Sequence, residues 1–294
     1  MCSLLPIEEG GERVNVSVYE VGPRDGLQYL KHIVPSEKKR ELIESLYSAG
    51  VENIEEVSFA HPKVLPQMAD AEDVFSGKGA ALVMNKRGFD RAVEAGVEKI
   101  NIVFSPCDIF NLKNMGKTRS EIVTMYYTFL NGYPKENVRV YISMAFGSPD
   151  MGDVSHRMML SCIKDAKLFS NNVVICDTIG CGMESEVKLW AEVGNIEGVT
   201  LAMHLHHKGD EHHAMRLVRS GLLNGIKQFD ASIGGLGGCP FTNGSGANIN
   251  TATLVRYLHA WGFETGIDEE KLEHAHWIAK RIGAFFNYDA MPLA

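Results

Sequence analysis

No apolar run in the 294-residue chain reaches the ~20 residues that a membrane-crossing helix needs. Basic residues do not dominate either. The 29 Lys and Arg stand against 37 Asp and Glu, for a formal net charge of −8. No global positive field would therefore gather nucleic acid, although a local Arg or Lys could still hold a small anionic substrate. The six cysteines (Cys2, Cys107, Cys162, Cys176, Cys181 and Cys239) form no Cys-x-x-Cys pair, which fits reduced thiols in a cytoplasmic protein. The first residues include Glu8 and Glu9 and lack a basic stretch followed by a long apolar one, so no secretory signal is expected. There is no Ser/Gly/Pro-rich linker and no internal repeat. The expectation is one domain over residues 1–294, with a short N-terminal arm over about residues 1–14 and a C-terminal helix over about residues 268–287.

What is present is a regular alternation. Apolar, β-branched runs fall at Val16–Val21, Asn53–Phe59, Ala80–Met84, Lys99–Phe104, Val138–Ala145, Val173–Asp177, Val199–His206 and Ile226–Ser232. Helical patterns follow each run. Ser36 reads as an N-cap ahead of Leu42, Leu46 and Ala49, and Thr118-x-x-Glu121 reads as a capping box. A last helix is expected from Glu269 to Ile282, with Leu272, Ala275, Ala279 and Ile282 on one face. Strands alternating with helices imply crossovers and a parallel sheet, and eight units predict closure into a (β/α)8 TIM barrel. The dinucleotide-binding alternative lacks its signal, because no Gly-x-Gly-x-x-Gly follows the first strand.

On this map the unusual polar residues sit at or just past the carboxyl ends of strands. Glu20, Arg24 and Asp25 follow the first strand, Glu55 lies on the second and Asn85 follows the third. Asp177 ends the sixth, His204 and His206 end the seventh, and Asp230 lies on the eighth. In a barrel these ends converge on one mouth, where active sites of this fold lie. His204-Leu-His206 aims two imidazoles to one side of a strand, because residues i and i+2 share a face. Two His with a carboxylate suit a divalent cation. Asp25 is the expected third ligand, and Asn248 could add an amide oxygen. The neighbouring His207, His212 and His213 are expected in the following loop and helical turn, partly solvated.

Ile233-Gly-Gly-Leu-Gly-Gly-Cys-Pro-Phe241 places four glycines ahead of a thiol. Glycine permits positive φ and close backbone approach. The expectation is a loop that moves over the site and brings in Cys239 as an acid or base. The other five cysteines carry no supporting pattern.

Val18-Tyr-Glu-Val-Gly-Pro-Arg-Asp-Gly-Leu-Gln28 resembles the first-strand signature of 3-hydroxy-3-methylglutaryl-CoA lyases. Ile54-Glu-Glu-Val-Ser-Phe59, Pro62-Lys with Pro66-Gln-Met68, Asp177-Thr-Ile-Gly180 and Gly234-Gly-Leu-Gly-Gly-Cys-Pro-Phe241 are similar to further segments of that family, in family order over nearly the whole chain. The first segment alone would also suit the related acyl-CoA condensing synthases, and the cysteine loop favours the lyases. The resemblance implies a barrel, a homodimer and a divalent cation, Mg or Mn, with Zn compatible with the donors. It implies Asp25, His204, His206 and Asn248 at the metal and Arg24 as electrophilic catalyst. It further implies Cys239 as catalytic thiol, Glu55 and Asp177 as supporting acids, and Glu20 as support for Arg24. Arg24, Gln28, Ser58 and Asn85 are the expected substrate-binding residues. Three stretches depart from the family: Tyr29-Leu30 replaces Asn-Glu, His207-Lys-Gly-Asp210 replaces Asp-Thr-Tyr-Gly after the second metal histidine, and Gly244-Ser-Gly-Ala-Asn248 replaces Gly-Ala-Ser-Gly-Asn.

The chemistry these residues suit is retro-Claisen cleavage of a 3-hydroxyacyl-CoA, 3-hydroxy-3-methylglutaryl-CoA or a close analogue, to acetyl-CoA and a keto acid. Arg24 would stabilise the enolate oxygen, and Cys239 would protonate its carbon. His204 could serve as ligand and proton shuttle together. The alternatives are an acyl-CoA/2-keto acid condensing acyltransferase, a lyase for another hydroxy acid, and a non-catalytic ligand binder.

Overall fold

The eight apolar runs do form strands, and they close on themselves. The computed structural model describes residues 14–28, 30–237 and 247–286. The strands are β1 (Ser17–Glu20), β2 (Asn53–Ser58), β3 (Ala80–Leu82), β4 (Lys99–Phe104), β5 (Val138–Ile142), β6 (Asn172–Asp177), β7 (Thr200–His207) and β8 (Gln228–Ala231). Each pairs in parallel with its sequence neighbours, and β8 pairs with β1 to complete the circle. The chain is a TIM barrel. A ninth strand, β9 (Ala247–Asn248), lies antiparallel to the end of β7 and sets Asn248 opposite His206. No period in the sequence announced so short an element.

The helices are α1 (Ser36–Ser48), α2 (Ala71–Val74), α3 (Lys86–Glu94), α4 (Asp108–Met115), α5 (Arg119–Leu130), α6 (His156–Ala166), α7 (Glu184–Glu197), α8 (Glu211–Leu223), α9 (Thr251–Ala260) and α10 (Glu269–Phe286). Thr118 opens α5 with the expected capping box. Ser36 does not cap α1. Pro35 takes that position, with its fixed φ suited to a helix start, and the Ser36 hydroxyl donates to Asp70 Oδ2 at 2.6 Å. Leu272, Ala275, Ala279 and Ile282 form the buried face of α10, which packs on α1 and α9. The fifth strand stops earlier than Ala145, because Met144 takes a left-handed φ of 57°, costly for a residue with a side chain.

Alternation along each strand divides the core. Leu201, Met203 and Leu205 of β7 face the helical layer and join the large apolar cluster there. Ala202, on the opposite face, joins Tyr141, Val174 and Cys176 inside the barrel. The interior is unusually polar for a core. Arg139, Asp230, Glu55 and Asn101 are all buried there; Arg139 pairs with Asp230, and Asn101 meets the Tyr19 hydroxyl. Among the described residues no helix is long and apolar enough to cross a membrane.

Candidate active site at the barrel mouth

The site begins where β1 ends. Residues Gly22–Gly26 form one wide helical turn in which the Gly26 N–H reaches back five residues to the Val21 carbonyl at 3.3 Å. Such turns are rare and concentrate at functional sites. Glu20 holds this turn in place. Its Oε1 accepts the Gly22 and Ile233 N–H groups at 2.7 and 2.9 Å, and its Oε2 accepts the Thr251 hydroxyl at 2.6 Å. The expected support of Arg24 by Glu20 is therefore not an ion pair; it runs through the backbone of the turn. Burial raises the Glu20 pKa to about 7.

The turn aims Arg24 and Asp25 into the barrel. Arg24 Nε and Nη2 donate to the two oxygens of Glu55 at 2.5 and 3.1 Å, and Nη1 donates to Asp25 Oδ1 at 2.7 Å. Burial works against the guanidinium charge, but Glu55 and Asp25 outweigh it and raise the pKa. Asp25 Oδ1 also accepts from Gln28 Nε2, and Oδ2 accepts from Asn248 Nδ2, both at 2.8 Å. Burial pushes the Asp25 pKa up; Arg24, then the two histidines, more than reverse this and lower it. Gly237, with φ of 112°, passes so close that a Cβ there would lie 2.5 Å from Asn248 Nδ2. Only glycine fits that approach.

The two histidines reach Asp25 from β7, which β8 alone separates from β1. His206 Nδ1 donates to the Thr178 carbonyl at 2.9 Å, and His204 Nδ1 lies 3.2 Å from Asp230 Oδ2. A carbonyl can only accept, and an ionised carboxylate likewise, so both rings carry their proton on Nδ1. Burial, then His204, lowers the His206 pKa to about 4 and keeps that ring neutral. His206 Nε2 thus presents a lone pair, and it faces His204 Nε2 at 3.0 Å. A shared proton or a bound cation satisfies two imidazole nitrogens at that distance. Asp25, His204 and His206 offer one ligand atom each within 4.8 Å of one another. The donor set fits a divalent cation.

A second ion pair lies behind His204. Arg139 Nη2 donates to Asp230 Oδ1 at 2.8 Å, Arg139 Nη1 donates to the Tyr141 hydroxyl at 3.0 Å, and Tyr141 donates to Glu55 Oε2 at 3.2 Å. Arg139 also stacks 3.8 Å over the Tyr19 ring. Arg139 and Tyr141 share a strand face at i and i+2, the same signal as His204-Leu-His206, and the sequence reading passed over them. It also passed over Thr178, which orients His206.

A cavity of about 430 Å³ opens onto these groups and is lined by Arg24, Asp25, Gln28, Tyr141, His204 and His206 among others. Among the described residues, six expected site residues do not line it: Glu20, Glu55, Ser58, Asn85, Asp177 and Asn248. Asp177 accepts the Cys181 and Gly182 N–H groups at 2.9 and 2.8 Å, so its carboxylate organises the loop after β6. Burial raises its pKa. Asn85 caps α3 by accepting the Gly88 N–H at 2.9 Å. Ser58 accepts the Ala60 N–H at 3.2 Å and donates to the Leu82 carbonyl at 3.4 Å. Glu55 acts through Arg24 and Tyr141 rather than at the cavity wall. Cys239 lies outside the described residues. His212 pairs with Tyr257, and His213 with Arg216, on the exposed side of α8, as expected of surface histidines.

The fold and this cluster define a class: a (β/α)8 barrel with a candidate divalent-metal centre at the carboxyl ends of its strands. The chain belongs to the HMGL-like family, whose model matches residues 15–278. It is 36% identical over 281 residues to the mitochondrial hydroxymethylglutaryl-CoA lyase of Arabidopsis thaliana, covering 91% of this chain and 60% of that longer protein. It is 34% identical to the hydroxymethylglutaryl-CoA lyase YngG of Bacillus subtilis, covering 91% of this chain and 93% of that one. Among solved structures, an HMG-CoA lyase from Acinetobacter baumannii in complex with coenzyme A and 3-methylmalate superposes with a TM-score of 0.85 at 30% identity, over 95% of this chain and 98% of that one.

Proposed function

We infer that this protein is a divalent-metal-dependent carbon–carbon lyase. It cleaves a 3-hydroxyacyl-CoA, 3-hydroxy-3-methylglutaryl-CoA or a close analogue, to acetyl-CoA and a keto acid. The observation that carries this is the placement of a permanently charged guanidinium, Arg24, beside two converging imidazole Nε2 atoms and Asp25 at one cavity wall. Asp25, His204 and His206 hold the cation, with Asn248 beside them; Mg or Mn is favoured by the carboxylate and amide oxygens, and Zn suits the nitrogens. When bound, it supplies Lewis acidity toward the substrate's hydroxyl and carbonyl oxygens.

The protein's own groups carry the rest. The hydroxyl proton leaves to water in the cavity, while Asp230 holds the His204 ring in place through Nδ1. The C2–C3 bond then breaks, its electron pair passing to C2, and C3 becomes a ketone. Arg24 receives the charge that develops on the thioester oxygen. Glu55 and Asp25 hold its fork still, so little reorganisation is needed at the moment of reaction. Cys239 delivers a proton to C2 and completes acetyl-CoA. Gln28, which donates to Asp25 at the cavity wall, takes part in binding substrate. Ser58, Asn85 and Asp177 shape the loops around the mouth. We further propose a cytoplasmic homodimer in which each barrel is a complete catalytic unit.

The test is a thioester-cleavage assay over a panel of 3-hydroxyacyl-CoAs with Mg or Mn added. Release of acetyl-CoA from at least one member is expected. Folded, metal-loaded protein that cleaves none of them would overturn the reading.

A further inference from the structure

The mouth of the cavity has two apolar lips. One is the segment 30–34 that leaves the catalytic turn and carries Leu30, Lys31 and Ile33; the other, after β2, carries Val64, Leu65 and Pro66. Ile33 and Val64 are 60% and 69% exposed, so they serve no core. Lining one cavity, they suit a ligand with an apolar stretch.

The first lip has no regular secondary structure, so its backbone groups need partners elsewhere. One side chain supplies them. Gln67, 4% exposed, donates through Nε2 to the Leu30 carbonyl at 2.8 Å and to the His32 carbonyl, and its Oε1 accepts the Val34 N–H at 3.2 Å. Gln67 is held in turn from below. The buried Lys39 donates to the Gln67 carbonyl and pairs with Asp70 at 2.6 Å, whose other oxygen accepts from Ser36. A lysine is rarely this buried unless its charge is neutralised. All three side-chain bonds of Gln67 end on the cavity-lining segment, two residues beyond Gln28. A residue that merely joined two elements of the fold would not be so directed.

We propose that Gln67 is a positioning residue that fixes the cavity mouth for the carrier end of the substrate, the pantetheine arm beyond the thioester, whose carbon stretches lie against the lips, while the acyl end meets Arg24 and the histidines. This rests on the thioester reading above. It makes Gln67 a determinant of carrier recognition and leaves bond cleavage to residues deeper in the barrel.

The experiment compares wild type with Gln67→Leu, which keeps the volume and removes all three bonds. Two substrates are used, 3-hydroxy-3-methylglutaryl-CoA and the N-acetylcysteamine thioester of the same acid, and binding of coenzyme A is measured by calorimetry. Loss of the lip should raise KM for the CoA ester about tenfold with kcat within about threefold, the pattern of lost uniform binding. The truncated thioester should change less than about twofold, and coenzyme A should bind about tenfold more weakly. If Gln67→Leu does not fold, Gln67→Glu, which keeps the acceptor for Val34 and loses both donors, is read in the same way. An equal penalty on both thioesters, a fall in kcat at constant KM, or unchanged coenzyme A affinity would overturn the proposal. If wild type cleaves neither thioester, the lyase reading fails and calorimetry alone decides. Coenzyme A bound by wild type and more weakly by the variant upholds Gln67; coenzyme A bound equally by both, or by neither, overturns it.

Discussion

Two arginines lie buried inside the same barrel, each paired with a carboxylate, and they do different work. Arg24 opens onto the cavity, whereas Arg139 does not line it and contacts Asp230, Tyr141 and Tyr19. Both stay charged, because neighbouring acids outweigh the cost of burial. Chemistry of the pair therefore does not distinguish catalyst from scaffold; access does. A guanidinium that meets the cavity can stabilise charge that develops there. One that meets only protein can hold Asp230, and through it the His204 ring.

The comparison can be broken at four points, from the largest effect to the smallest. Asp25→Ala or His206→Ala removes a ligand at the mouth. Bound cation should be lost and activity should fall below detection, checked by metal analysis of purified protein; full activity in verified metal-free protein would refute the metal site. Cys239→Ser should lower kcat by on the order of 10²–10³-fold with cation content unchanged, since a general acid contributes about that much. Near-wild-type turnover would make that thiol structural. Asp230→Asn keeps the shape behind His204 and removes the charge. Cation affinity should fall about 10–100-fold, the usual effect of removing a carboxylate that orients a metal-binding His, measured by titration of Mn into stripped protein. An unchanged affinity would sever the scaffold arginine from the site. Gly237→Ala should cost about 1–3 kcal/mol of stability, because φ of 112° and the 2.5 Å approach to Asn248 both exclude a Cβ. Thermal unfolding reads this directly.

The barrel was legible because its strands repeat a simple period and its unusual polar residues fall at strand ends. Arg24, Asp25, His204 and His206 were found that way, and their Nε2, carboxylate and guanidinium groups do converge. Strand-end position did not say where a side chain turns. Asp177, Asn85 and Ser58 sit at such ends, yet each bonds a loop or helix backbone, because a short polar side chain beside unpaired N–H groups competes well for them. Asp230 was placed on its strand but not its partner Arg139, which lies on a strand that otherwise reads as apolar core, 91 residues away in sequence. Only closure of the barrel brings them together. The contact between Asn248 and Asp25 needs β9, which is two residues long and carries no periodic signal. Gln67 was noticed only as part of a family segment, and its bonds to an irregular segment leave no mark in composition.

The central claim is that Arg24 acts on the reacting atoms and Arg139 on the frame that holds them. The direct measurement sets Arg24→Met beside Arg139→Met and determines kcat, KM and unfolding free energy for each on the same thioester. Arg24→Met should lose about 10²–10³-fold in kcat with KM little changed, as expected when a donor to a developing oxyanion is removed. Arg139→Met should instead lose about 3–5 kcal/mol of stability by stranding Asp230, with a smaller fall in kcat. Wild-type kcat in Arg24→Met with only a raised KM would contradict the account and reduce Arg24 to a binding group.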